Sequence, residues 1–245
     1  SVIKDTEARG AFDTVKRLVG YTNNIFKHAK FEGKIDGNPA SDIISAFSTK
    51  DVEHFKSMPL EIMPKFLRQI ETNEARLYKQ TCLALKLMVL TFTRKAELSH
   101  AKWEEIDFEN RIWLIPAERM KMRKEHLVPL SRQSIGILLE LKSMNGNWEY
   151  VFPSINKPKQ PMHEDTILRA IYRLGYKGIA TIHGFRSLAM TLIMEKLNYR
   201  YEVPDLQLAH SKGDKIRQAY DRTDFLDERT KMMQDWADYI DKLKR

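Results

Sequence analysis

The sequence predicts a mainly α-helical fold with one small three-stranded antiparallel sheet. Three observations carry that expectation. Apolar residues recur at three- and four-residue steps over most of the chain, which is the period of a helix face. One stretch, 100–131, breaks into short alternating runs between turn residues, which is the period of strands. Apolar residues make up 42% of the 245, enough to bury a core.

Taken in order, Phe12, Val15, Val19, Thr22, Phe26 and Ala29 mark one face of an amphipathic helix, and "EGKIDGNPASD" ends it with two glycines, an asparagine and a proline. That segment is too short to be a domain. It is expected to be the last helix of one, followed by a linker through "FSTKDVEHFKSMP", with the boundary near Ser57. The chain starts on Ser with the lead-in to a helix, so a fragment lacking its N-terminal part is expected. From Pro59, "PLEIMPKFLRQIET" and "NEARLYKQTCLALKLMVLTF" both have helical spacing, and the second is apolar enough to be central. Strands are expected over 106–108, 111–115 and 126–129, joined by turns at 109–110 and 118–124. "QSIGILLELKSM" returns to helix, "GNWEYVFPSINKPKQP" reads as a short strand and loop, and "MHEDTILRAIYRLG" as another helix. Nearly everything over 183–244 reads as helix. No repeat and no low-complexity tract interrupts the pattern.

Lys and Arg number 41 against 33 Asp and Glu, and the net charge of +8 modestly favours a polyanionic partner. The single cysteine, Cys82, lies in the apolar run "CLALKLMVLTF". One thiol makes neither an internal disulfide nor a multi-cysteine zinc site, which suits a reducing compartment. There is no apolar run of the roughly 18 residues a membrane span needs, and no signal peptide. The histidines lack HExxH-type spacing and no carboxylate cluster stands near them, so neither metal nor cofactor is expected.

Four local signals have chemical content. In "TFTRKAEL", Arg94 and Glu97 share a helix face, either as an oriented guanidinium or as a surface pair. In "IHGFRSLAMTL", His183 could simply begin a helix, but Arg186 precedes an apolar run, and a guanidinium so close to a core needs an anionic partner. "AERMKMRKEHLVPL" places Arg119, Lys121, Arg123 and Lys124 on a hairpin turn, where a solvated tip is the plain alternative. "LAHSKGDKIRQAYDRTDF" puts Tyr220 ten residues after His210, past Lys212, Lys215 and Arg217. Farther on, Met232, Met233, Trp236, Tyr239 and Ile240 form an apolar stripe that either packs on its own domain or docks on a neighbour.

Set in order, Arg94, Lys121, His183, Arg186, His210 and Tyr220 resemble the tyrosine recombinases, or phage integrases, and within them the branch exemplified by phage P4. The matching motifs are "RKAE", "MKMRKEHLVPLS", "HGFR" and "LAHSKGDKIRQAY", and the tail "AYDRTDFLDERTKMMQDWADYID" is similar to that branch as well. The resemblance covers about residues 59–241, and residues 5–45 resemble the end of the helical core-binding domain that precedes the catalytic one. Three positions depart from the pattern: Phe92 and Ala209 stand where glycine is usual, and Lys95 where proline is common.

The resemblance implies a catalytic domain over 58–245, after a core-binding remnant and linker over 1–57. It implies cleavage and rejoining of DNA through a 3′-phosphotyrosyl intermediate with a free 5′-hydroxyl, integrating or excising a phage or genomic island. Tyr220 would be the nucleophile, with Arg94 and Arg186 donating to the phosphate oxygens. Lys121 would protonate the leaving 5′ oxygen, with Lys124 as its local rival. His183 would accept or position the tyrosine proton, His210 would donate to a phosphate oxygen, and Glu97 would support Arg94. Arg119, Arg123, Lys124, Lys212, Lys215 and Arg217 would grip DNA phosphates, so binding would weaken with salt. The implied partners are double-stranded attachment-site DNA, a homotetramer on synapsed DNA, and accessory bending or directionality factors, at the nucleoid of a bacterial cytoplasm. An inactive DNA-binding or architectural protein of the same fold is the alternative from another class, and a type IB topoisomerase is a third reading.

Overall fold

The computed structural model describes residues 2–42, 58–120, 123–209 and 225–244. The chain divides into two compact units, Ser1–His54 and Phe55–Arg245. In the first, α1 (Val2–Ala8) is followed by α2 (Phe12–Phe31), on which Val15, Val19 and Asn23 are buried. Asn38 donates to the Asn23 side chain at 2.7 Å, so the glycine-rich turn after α2 folds back on the helix. Phe12, Thr22, Phe26 and Ala29 are half-buried on the expected face, whereas Tyr21, Ile25 and Phe31 are exposed.

The second unit starts on a 3-10 turn, Leu60–Ile62, that leads into α3 (Met63–Thr72) with Pro64 in its first turn, where a missing N–H costs no helical bond. The next helix, α4, runs only from Lys79 to Thr91 rather than from residue 73. Asn73 explains the difference. It sits at φ 51°, and its side-chain amide both donates to Leu77 O (2.9 Å) and accepts from Leu77 N–H (2.8 Å). The asparagine closes a loop that would otherwise continue as helix. Within α4 every residue from Gln80 to Thr91 except Lys86 is buried. It packs against α3, the short α5 (Lys95–Ser99), α6 (Arg132–Asn145), α7 (Asp165–Ile171) and α10 (Leu226–Leu243). A helix apolar on every side belongs at the centre of a domain.

Strands β1 (Ile106–Asp107), β2 (Ile112–Ile115) and β3 (His126–Pro129) form the expected sheet, antiparallel in the order β1-β2-β3. Trp113 pairs with Val128 and Ile115 with His126, and these four side chains are buried while Leu114 faces solvent. The strand expected within 146–161 is reduced to two isolated bridges, Lys102 to Tyr150 and Pro153 to Pro161. Three prolines in that stretch remove the donors a ladder would need.

Beyond α7, a π-helical turn over Tyr172–Tyr176 ends at Gly175 with φ 94°. The helix α8 (Ile182–Leu197) starts where the Thr181 hydroxyl accepts from Gly184 N–H at 2.9 Å, and stops at Asn198 in the left-handed region. A short α9 (Glu202–Gln207) and then α10 complete the described residues. Met232, Met233, Trp236, Ala237 and Ile240 of α10 are all buried in their own domain. Trp236 donates its indole N–H to Val89 O at 2.9 Å and packs edge-on to Phe92. The stripe on α10 is thus part of this domain's own core rather than a surface offered to a neighbour. Among the described residues, no helix is long and apolar enough to cross a membrane.

Candidate active site

The site is built where α4 ends. Phe92 takes φ 39°, turning the chain so that Thr93 and Arg94 leave the helix and Arg94 becomes the N-cap residue just before α5. Glu97 caps that helix from inside. One carboxylate oxygen accepts Arg94 N–H at 2.8 Å and the other accepts a guanidinium N–H of Arg94 at 2.6 Å. The Glu97 side chain is 4% exposed and that of Arg94 29%, so the pair is an oriented guanidinium rather than a surface contact. A second donor of Arg94, Nη2–H, reaches Ala209 O at 2.9 Å.

Arg186 lies one turn into α8 and is buried. Its two terminal nitrogens donate to Phe92 O (2.5 Å) and Leu208 O (2.6 Å). Burial, followed by the neighbouring charge of Arg94, pushes its pKa down to about 10, and Glu97 opposes the shift. It stays cationic at neutral pH. Arg94 and Arg186, from different helices, therefore converge on the adjacent carbonyls of Ala209 and Leu208, the last two described residues before His210. Among the described residues Glu97 is bonded to Arg94 while Arg186 is held by backbone carbonyls, which leaves positive charge in excess in a largely enclosed place. Such a centre suits an anion with several equatorial oxygens.

His183 stands in the first turn of α8, three residues before Arg186, with its side chain exposed. Arg123 and Lys124 are exposed at the turn between β2 and β3, where Arg123 adopts φ 51°. Arg119 points elsewhere. It pairs with both oxygens of the buried Glu105, and its Nη2–H donates to Glu97 O at 2.5 Å. Glu105 also accepts the Trp113 indole N–H at 3.0 Å. Arg119 thus braces the Arg94–Glu97 corner from behind, an engagement that its place in a basic run did not reveal. Lys121, His210, Lys212, Lys215, Arg217 and Tyr220 lie outside the described residues.

Four other tyrosines of this half are engaged, whereas Tyr172 is exposed. Tyr176 donates to Gln69 at 2.6 Å, Tyr199 to Asp235 at 2.6 Å and Tyr201 to Asp205 at 3.0 Å, while Tyr239 stacks on Trp236. Burial raises the phenol pKa of Tyr176, Tyr199 and Tyr239, making each a poorer nucleophile.

Sequence reasoning missed a second polar cluster beside the arginines. His126 is buried on β3 with Nε2 3.1 Å from Gln207 O. Burial, then the charge of Arg229, drives its pKa down to about 3, so the ring is neutral and Nε2 carries the proton it donates. Gln207 Oε1 accepts from Arg229 Nε (3.2 Å) and Nη2 (2.8 Å), and Arg229 also donates to Leu127 O. One available signal was helical spacing: Arg229 lies three, four and seven residues before Met232, Met233 and Trp236, on the same buried face. Among the described residues, no group of His, Cys, Asp and Glu is placed to hold a metal ion.

Against known proteins, residues 57–226 match the profile of the phage integrase family. The chain is 37% identical over 238 residues to the prophage integrase IntA of Escherichia coli (strain K12), covering 97% of this chain and 57% of that protein. It is also 37% identical over 254 residues to the integrase of Enterobacteria phage P4, covering 98% of this chain and 57% of that one. It thus spans little more than half the length of these two curated relatives. Among solved structures it resembles a lambda integrase dimer bound to a COC′ core site, with TM-score 0.66, 18% identity, and coverage of 86% of this chain and 76% of that one. A lambda integrase tetramer bound to a Holliday junction gives TM-score 0.66 at 19% identity, covering 88% and 61%. At these identities the likeness is one of fold.

Proposed function

This chain belongs to the phage integrase family, in the branch that includes the phage P4 integrase, and from that premise we propose that it cleaves and rejoins DNA at specific sites through a tyrosine-linked intermediate. Tyr220 attacks a phosphodiester phosphorus. The bond from phosphorus to the 5′ oxygen breaks, the phenol proton passes to His183, and Lys121 supplies a proton to the departing 5′ oxygen. The DNA 3′ phosphate stays on Tyr220, and reversal by a new 5′-hydroxyl restores the backbone without ATP. Arg94 and Arg186 donate to the equatorial oxygens as charge builds on them, and His210 adds a third donor. Arg123, Lys124, Lys212, Lys215 and Arg217 hold flanking phosphates, and four copies act on two synapsed duplexes to integrate or excise the element that encodes them.

The observation that carries this reading is the convergence of Arg94 and Arg186 on the carbonyls of Leu208 and Ala209, directly before His210, with the Glu97 carboxylate orienting Arg94. It is supported further by relatives named as phage and prophage integrases and by fold neighbours whose structures hold DNA, one of them as a tetramer. The test is covalent capture. Nicked duplexes drawn from a randomised pool are incubated with the chain, and protein–DNA adducts are isolated and peptide-mapped. The expected adduct lies on the peptide containing "QAYDR" and is absent from the Tyr220→Phe variant. An adduct on Tyr199 or Tyr201 would reassign the nucleophile. DNA binding without any adduct would favour an architectural protein, and relaxation of supercoiled plasmid without a site requirement a topoisomerase.

A further inference from the structure

The cluster of His126, Gln207 and Arg229 lies close enough to the candidate site for Arg94 and Arg186 to bear on His126, and Gln207 and Arg229 flank residues 210–224 in sequence. Gln207 ends α9, one residue before the Leu208 and Ala209 carbonyls that Arg186 and Arg94 hold. Arg229 stands in the first turn of α10, its backbone N–H bonded to Phe225 O at 2.8 Å, four residues after the described chain resumes. One side-chain oxygen, Gln207 Oε1, receives two donors of Arg229, so the two ends of the intervening stretch are joined directly. Both are fastened to β3: Gln207 through its carbonyl to His126, and Arg229 through Leu127 O.

The arrangement carries a mark of its own. Gln207 is 1% exposed, and its amide Nε2 is the buried side-chain donor left without a partner among the described residues. A buried amide with a stranded N–H is costly. Gln207 holds this orientation because its oxygen is committed to Arg229. A side chain kept only to fill space would be better served by an apolar residue.

We propose that Gln207 and Arg229 are positioning residues for strand cleavage. They clamp the entry and exit of the stretch bearing His210 and Tyr220 against β3, setting where that stretch begins and ends relative to Arg94 and Arg186. The inference rests on the assignment of Tyr220 as nucleophile under the proposed function. A reacting atom displaced by about 1 Å typically costs on the order of a hundredfold in rate. Losing the clamp should therefore lower the chemical step and leave DNA affinity, which comes from phosphate contacts elsewhere, nearly unchanged.

The experiment uses the 245-residue chain and a nicked duplex selected by covalent capture with the wild type, measuring single-turnover adduct formation at saturating protein and, separately, Kd by gel shift. Arg229→Met should form adduct about a hundredfold more slowly with Kd within about threefold. Gln207→Glu keeps the acceptor for Arg229 and removes the stranded donor, so it should retain adduct formation within about threefold, whereas Gln207→Leu should fall with Arg229→Met. Circular dichroism and melting on each variant fix its folded fraction. If Arg229→Met fails to fold, the Gln207 pair decides: equal rates for Glu and Leu overturn the inference, and a large gap in favour of Glu upholds it. A folded Arg229→Met that cleaves like wild type also overturns it. A wild-type chain that captures no duplex overturns the parent reading, and this one with it.

Discussion

Two buried cation clusters meet at Glu97 and differ in one number. Behind the site, Arg119 faces one carboxylate, Glu105, with the Trp113 N–H completing the acceptor's partners, so charge is balanced. In the site, Glu97 is bonded to Arg94 alone, and the other partners of Arg94 and Arg186 among the described residues are neutral carbonyls of Phe92, Leu208 and Ala209. The balanced cluster holds structure. Among the described residues the unbalanced one carries more positive than negative charge, and burial, then the neighbouring charge of Arg94, depresses the pKa of Arg186. A fold that retains two like charges in an enclosed corner gains from an anion placed between them, and a phosphodiester approaching attack supplies one whose charge grows on the way to the transition state.

The largest expected effect breaks the unbalanced side. Arg186→Ala should slow covalent capture by about 10³-fold, or ~4 kcal/mol in the barrier, since paired donors to a developing charge disappear. Single-turnover adduct formation at saturating protein reads it. Activity within threefold of wild type would remove Arg186 from the site. The variant should also unfold more easily, because Phe92 O and Leu208 O lose their donors together.

The balanced side should show the opposite profile. Arg119→Met leaves Glu105 buried with no cation, and chemical denaturation should report a loss of about 3 kcal/mol in stability. Cleavage per folded molecule should change less than tenfold. A variant with native stability and cleavage lost a thousandfold would erase the distinction between the two clusters.

A third effect separates neutral from charged members through pH. His126 titrates at about 3 in the fold against 6.5 when unfolded, so between those values the unfolded chain binds one more proton and stability rises with pH. The contribution is complete above about 6.5 and is lost as pH falls toward 3. At pH 5 the loss attributable to His126 should be about 2 kcal/mol. The difference between wild type and His126→Gln in urea titrations at pH 7 and pH 5 isolates it from the carboxylates. An identical pH slope for both proteins would show that His126 is already protonated, or not as enclosed as its surroundings imply.

Legibility in the sequence follows the range of the interactions. The helical period, the three alternating runs and the position of Arg94, His183 and Arg186 are local patterns, and the structure puts the two arginines on one pair of carbonyls. The pairing of Arg94 with Glu97 was also local, but burial was needed to tell an oriented guanidinium from a surface contact. What stayed hidden depends on distant partners: Arg119 turned inward to Glu105, Gln207 joined to Arg229, and His126 reaching Gln207 across the fold. Local chemistry misled at Asn73, where a side chain closes a loop inside an apparent helix, and at 146–161, where prolines prevent a ladder. The α10 stripe was visible as a stripe, but only its burial assigned it to this domain's own core.

The smallest effect concerns the backbone that presents acceptors to the arginines. Phe92 and Ala209, two positions where the resembling family commonly has glycine, adopt φ 39° and 48°, conformations that side chains of L-residues disfavour by roughly 1–2 kcal/mol. Phe92 has an offsetting gain, since its ring is buried against Trp236. Ala209 has only a methyl group, so relief of strain should nearly cancel the extra freedom that glycine adds to the unfolded chain. Ala209→Gly is expected to shift stability by less than about 1 kcal/mol, in the stabilising direction, with Ala209 O still on Arg94 and cleavage unchanged. Ala209→Val carries a β-branched side chain into the same φ and should lose about 1–2 kcal/mol. Thermal melts of the two variants give opposite signs if the left-handed turn is what delivers this carbonyl to the guanidinium. A valine variant as stable as wild type would mean that the turn relaxes, and that the acceptor Arg94 finds is not fixed by the backbone at 209.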